Sequence, residues 1–138
     1  MKISYAITVC NELDEIKKLI TILLNSKRDK DEIVILFDSK NGSPEVWDYL
    51  INGISYESVN GIKPLKDLNI TIDHGSFENH FANWKNKLTN LCTGDYIFQI
   101  DADEHPHGHL LKALPSILEA NPVDLIRVPR VNTVKGLT

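Results

Sequence analysis

The chain has 138 residues, a formal net charge of −4, 42% hydrophobic residues and 25% charged residues, which describes one ordinary globular domain, 1–138, large enough to bury a single core. Mild acidity gives no electrostatic reason to expect nucleic acid or an anionic membrane as a partner, and no apolar run approaches the roughly 20 residues of a membrane span. Met1-Lys2-Ile3-Ser4 opens neither a long apolar region nor a small-residue cleavage site, so a cytoplasmic location is expected.

Ile3 to Cys10 mixes apolar and β-branched residues and predicts a first strand. Asn11 can cap a helix with Asp14 and Glu15 in its first turn. Leu13, Ile16, Leu19, Ile20, Leu23 and Leu24 then recur at three- and four-residue spacing, and Lys27 and Arg28 close the helix with the favoured sign. Ile33 to Phe37 is a second buried strand, ending in Asp38. Strand, helix and strand make a βαβ unit with a right-handed crossover. Ser43 can cap a helix starting at Pro44 with Val46, Trp47, Leu50 and Ile51 inward. Gly53, Asn60-Gly61 and Pro64 break any long element between Asn52 and Asp67, which predicts a loop-rich connection. Leu68 to Ile72 alternates as a third strand and the chain turns at Asp73 to Ser76. Phe81, Trp84, Leu88, Leu91 and Cys92 then share one face of a third helix. Beyond the central strand, a helix from Leu110 to Ala120 is expected to break or kink at Pro115, and Asp124 to Val128 reads as another strand. Cys10 and Cys92 lie in apolar surroundings and are expected as buried, reduced thiols.

The stretch that carries chemistry is Tyr96-Ile97-Phe98-Gln99-Ile100-Asp101-Ala102-Asp103-Glu104. Its apolar half suits a strand buried on both faces of a parallel sheet, and its acidic half falls where ligands bind in open α/β sheets, beyond the carboxyl ends of the strands. While the chain stays extended, Asp101 and Asp103 point to one face. Two converging carboxylates repel unless a cation lies between them, which suits Mg²⁺ or Mn²⁺. His105, His107 and His109 alternate with Pro106 and Gly108 and are read as a solvated loop rather than a zinc or nickel site.

Four segments, Thr8-Val9-Cys10-Asn11-Glu12, Leu36-Phe37-Asp38-Ser39, Phe81-Ala82-Asn83-Trp84-Lys85-Asn86 and Thr93 to Glu104, together resemble glycosyltransferase family 2. They are most similar to bacterial members that add sugars to lipopolysaccharide core or other surface glycans. The likeness covers nearly the whole chain in the right order. It implies a GT-A fold, three-layer α/β/α with a mostly parallel sheet, and a metal-dependent, inverting transfer of a sugar from a nucleotide-sugar donor, uracil being the commonest base, to a glycan or lipid-linked acceptor. By the same resemblance Thr8 and Glu12 line the base and ribose pocket, Asp38 accepts from the ring N–H of the base and Lys85 faces the nucleotide or its phosphates. Asp101 contacts the ribose, and Asp103 holds the metal that bridges the diphosphate.

Two departures stand beside these matches. His80 occupies the place where the family often has an acid before Phe-Ala. The family's acceptor half, with the carboxylate that deprotonates the acceptor, is expected beyond the end of this chain, so no catalytic base is assigned and the rest of a longer enzyme is an expected partner. Two other classes are weighed. A non-catalytic nucleotide-sugar-binding module would share the pocket without the base. A D-x-D phosphohydrolase would carry the motif on its first strand, whereas here it ends the fourth expected strand.

Overall fold

The computed structural model describes residues 1–54, 57–58, 61–62 and 68–120. In chain order the elements are β1 (Ile3–Val9), α1 (Leu13–Ser26), β2 (Glu32–Asp38), α2 (Pro44–Asp48), a π-helical turn (Tyr49–Gly53), β3 (Glu57–Ser58), β4 (Gly61–Ile62), β5 (Ile70–Gly75), α3 (Phe81–Asn90), β6 (Tyr96–Asp101) and α4 (Gly108–Ala120).

Four strands form one parallel sheet in the order β5-β2-β1-β6, while β3 and β4 pair as a small antiparallel hairpin. Side chains alternate between the faces of the sheet, and both faces are apolar in β1 and β2. On one, Ile3, Tyr5, Ile7, Ile33 and Ile35 pack against Ile16, Leu19, Ile20 and Leu23 of α1 and against Leu111, Leu114 and Leu118 of α4. On the other, Ala6, Val34 and Leu36 meet Trp84 and Leu88 of α3. The three-layer α/β/α expectation holds.

The order of the strands determines where a ligand can bind. The chain steps outward from β1 to β2 to β5, then returns to lay β6 along the other side of β1. Strand order therefore reverses between β1 and β6, and such a reversal opens a crevice at the carboxyl ends of the strands. Register aligns those ends, with Thr8 opposite both Leu36 and Asp101, and Asp38 opposite Gly75.

At the other end of the sheet, polar residues clamp the strand starts. Asp31, with 0% exposure, accepts the Ile3 N–H (2.9 Å) and two bonds from the Arg28 guanidinium (both 2.9 Å). Glu32 accepts from the Ser4 hydroxyl (2.5 Å), the Thr93 N–H (2.7 Å) and the Thr93 hydroxyl (3.0 Å), with Lys2 Nζ at 3.5 Å. Gly94 fits here because it has no side chain: a Cβ would lie 2.8 Å from the Ser4 nitrogen.

Several expected boundaries move, each for a local reason. β1 stops at Val9 because the Cys10 N–H donates to the Glu12 carboxylate (2.8 Å); the helix cap is Glu12, not Asn11. α1 ends at Ser26, so Lys27 is its C-cap and Arg28 turns to Asp31. β5 does not turn at Asp73 but runs to Gly75, because pairing with β2 continues through Asp38, while Asn69 makes the turn before it at φ 60°. Ile51 is 46% exposed where an inward position was expected, since the wider π-helical turn breaks the 3.6-residue period after the buried Leu50. α3 closes at Asn90, leaving Leu91 and Cys92 in the following turn. α4 begins at Gly108 and runs on through a buried Pro115. Both cysteines are free and half-buried rather than buried. The strand expected at Asp124 to Val128 lies outside the described residues.

Candidate functional site

Four chain segments wall the crevice: the end of β1, the loop after β2, the turn into α3 and the end of β6. Asp38 organises the second. Its Oδ1 accepts the N–H groups of Lys40 (3.0 Å), Asn41 (3.2 Å) and Phe77 (3.3 Å), and its Oδ2 accepts from the Asn41 amide (2.9 Å). Burial by itself would raise its pKa, but the bonds from Asn41, Phe77 and Lys40 outweigh that and hold it below the usual carboxylate value. The same loop is tied to β1 by the Ser43 N–H to the Cys10 carbonyl (3.2 Å). Its turn needs Gly42, where any Cβ would collide with the Asp38 carbonyl and the Phe37 ring.

At the turn into α3, Asn79 takes φ 63°, a left-handed conformation that asparagine tolerates. Phe77 then packs edge-on against both Phe81 and Trp84, with centroids 6.0 and 5.8 Å apart. Phe81, expected inward with Trp84 and Leu88, is instead 64% exposed and lines the cavity. One turn on, Lys85 places Nζ 5.6 Å from the Phe81 centroid and 3.1 Å from Asp101 Oδ1, which also receives the Thr8 hydroxyl (3.2 Å).

Beyond Asp101 the chain is no longer extended, contrary to the expectation that Asp101 and Asp103 would share a face as strand neighbours. The Glu104 N–H donates to the Asp101 carbonyl (2.8 Å), closing a turn that buries Ala102 and leaves Asp103 exposed. Both aspartates nonetheless line the cavity. That cavity, of about 510 Å³, collects Thr8, Glu12, Asp38, Asp101 and Asp103, and Lys85 reaches its wall through Asp101. Five of the six residues singled out from the sequence therefore line one cavity, and the sixth, Lys85, is bonded to one of them.

The chain matches the model of glycosyl transferase family 2 over residues 4–136. It belongs to that family. Among solved structures it is similar to S. aureus TarS. The 1–349 form gives a TM-score of 0.66 at 16% identity, over 88% of this chain and 33% of that one; the same form in complex with UDP gives 0.65 at 16% identity over the same shares. A further TarS crystal structure gives 0.66 at 17% identity, over 90% of this chain and 20% of that one. These likenesses show the GT-A type of fold, and the chain spans about a third of the TarS 1–349 structures. None of the curated proteins matches it.

Family 2 proteins commonly use a divalent metal, and the residues here can be tested against one. Among the described residues no three His, Cys, Asp or Glu side chains form a metal-holding group. Asp101 Oδ1 receives both Lys85 and Thr8, and the exposed Asp103 lines the same cavity. One carboxylate completed by substrate phosphates and water is a normal Mg²⁺ arrangement, so the donor set fits a metal that arrives with a nucleoside diphosphate. The histidines stand apart: one His105 ring nitrogen lies 3.0 Å from the Glu15 carbonyl, and the His107 and His109 rings stack 5.0 Å apart.

Sequence reading passed over Asn41, Phe77 and Asn79. Only Asn41 left a signal there: an asparagine three residues after the strand-ending Asp38, in a Ser-Lys-Asn-Gly turn.

Proposed function

We propose that this domain binds the donor of a glycosyltransferase, a nucleoside diphosphate sugar with uracil as the base, and presents its anomeric carbon to a hydroxyl acceptor, a glycan or lipid-linked. The observation that carries this reading is the convergence of Thr8, Glu12, Asp38, Asp101 and Asp103 on one cavity at the strand-order reversal, with Lys85 bonded to Asp101. Its support from outside the chain is family membership and the TarS structures solved with UDP and with UDP-GlcNAc.

In this reading the base lies at the Asp38 end, where Oδ2 keeps a lone pair for a ring N–H, and Thr8 and Glu12 border the base and ribose. Asp101 meets the ribose. Lys85, already beside Asp101, supplies a cation near the arriving phosphates. Asp103 holds Mn²⁺ or Mg²⁺, and what the bound metal supplies is positive charge against the diphosphate leaving group. The reaction is a single displacement that inverts the anomeric centre: the acceptor oxygen bonds to the anomeric carbon as its bond to the diphosphate oxygen breaks, and a base takes the hydroxyl proton. That base belongs to the acceptor side of the enzyme, outside the residues assigned here. The location is cytoplasmic, where nucleotide sugars are available, and among the described residues no helix is long and apolar enough to cross a membrane.

Calorimetric titration of UDP, and of GDP as comparison, with Mn²⁺ and with chelator tests the proposal. The expected result is metal-linked UDP binding that disappears in Asp103→Ala while that variant keeps wild-type thermal stability, since Asp103 is an exposed turn residue. Unfolding of Asp103→Ala, or metal-independent binding, would refute the role of Asp103.

A further inference from the structure

Glu104 is a carboxyl for which the donor site as described has no use. It is 6% exposed, follows Asp103 directly, and by sequence alone belongs with Asp101 and Asp103 as a third group facing a ligand. Its geometry is otherwise. Asp101, Ala102 and Asp103 line the cavity, whereas Glu104 is not among the lining residues. Its Oε1 accepts the Asp101 N–H (2.9 Å), while its own N–H donates to the Asp101 carbonyl (2.8 Å). These two bonds close a ring around Ala102 and Asp103, and the Ala102 N–H, bonded to the Thr8 carbonyl (3.2 Å), fastens the ring to β1. With Ala102 buried, the turn has one side chain free to stand over the cavity, and it is Asp103.

We infer that Glu104 is a positioning residue for Asp103, acting as a hydrogen-bond acceptor that clasps the Asp101–Glu104 turn, and is not itself a ligand of the donor or its cation. The inference rests on the reading of this cavity as the donor site. Accepting the Asp101 N–H requires an oxygen at the Oε1 position and the full length of the side chain; it does not require a negative charge. A ligating carboxylate has the opposite requirements, because a charge brought a little closer or further can still meet a mobile cation, whereas an amide is a much weaker ligand. Glu104→Gln and Glu104→Asp therefore separate the two roles.

The test is Mn²⁺-linked UDP binding by calorimetry together with hydrogen exchange at the Asp101 amide, on the whole chain. Glu104→Gln is expected to bind within about threefold of wild type and to keep the Asp101 amide protected. Glu104→Asp and Glu104→Ala are expected to lose on the order of 10–100-fold in metal-linked affinity, the usual cost of removing a group that orients a metal ligand, and to exchange the Asp101 amide faster. A Glu104→Gln variant as weak as Glu104→Ala, or a Glu104→Asp variant as tight as wild type, overturns the inference. If Glu104→Ala fails to fold, the Gln and Asp variants carry the comparison. A wild-type protein that binds no UDP with Mn²⁺ overturns the donor-site reading instead, and with it the role given to Asp103.

Discussion

Lys85 and Asp101 form the one ion pair at the cavity among the described residues, 3.1 Å apart and joined by Thr8. The pair has two possible uses that a substitution tells apart. If the ammonium serves the phosphates, Lys85→Met removes a charge-assisted contact worth about 1.5–3 kcal/mol, so UDP should bind roughly tenfold or more weakly while uridine is unaffected. If Lys85 only holds Asp101 in place for the ribose, UDP and uridine should weaken alike. Competition binding of the two ligands decides between them, and the proposed function requires the first result. Residue identity at this scale was legible because the resemblance names positions: Thr8, Glu12, Asp38, Asp101 and Asp103 line one cavity, and Lys85 is bonded to Asp101. What those residues do to one another was not legible. That Asp38 accepts three backbone N–H groups and the Asn41 amide depends on how the loop folds, and no spacing of residues announces it.

Among the elements, β1 and β2 were readable from apolar runs, because a strand buried on both faces needs apolar residues at every position; β6, whose apolar run led to the same expectation, is instead the edge strand of the sheet among the described residues, and of its six residues only Ile100 is buried. β2 is the clearest case: all seven of its residues are buried. The same rule hid its first residue. Glu32 and the preceding Asp31 look like loop residues by composition, yet both are buried and hold β1, β2 and the segment before β6 together through Ser4, Thr93 and Ile3. Burial would raise the Glu32 pKa, but bonds from Ser4 and Thr93 and the nearby Lys2 hold it below the usual value. A depressed folded pKa contributes stability that is fully present above the ordinary glutamate value of about 4.3 and is lost as pH falls through the folded value. Urea unfolding at pH 7 and pH 3 should therefore show a drop in wild-type stability. Glu32→Gln should be less stable at pH 7 and should lose less over the same interval; equal losses in the two proteins would remove Glu32 from the account of acid sensitivity. The π-helical turn ends at Gly53 and the short hairpin pairs Glu57–Ser58 with Gly61–Ile62, in a stretch whose Gly53, Asn60-Gly61 and Pro64 were read only as breakers.

For the whole molecule, the site follows from topology as much as from chemistry. A sheet ordered β5-β2-β1-β6 has its reversal between β1 and β6, and the aspartates of the D-x-D stretch fall there because β6 is laid down last of the four. The same fact argues against a phosphohydrolase, whose motif would end the first strand. Family membership and the structural likeness to TarS agree with a GT-A type of fold. The donor-site claim is most directly tested by diffraction from crystals soaked with UDP and Mn²⁺, recorded at a wavelength where manganese scatters anomalously. The account predicts UDP in the cavity with its base toward Asp38 and Asn41, its diphosphate toward Lys85, and a manganese peak at Asp103. Nucleotide bound elsewhere, or a manganese peak away from Asp103, would contradict it.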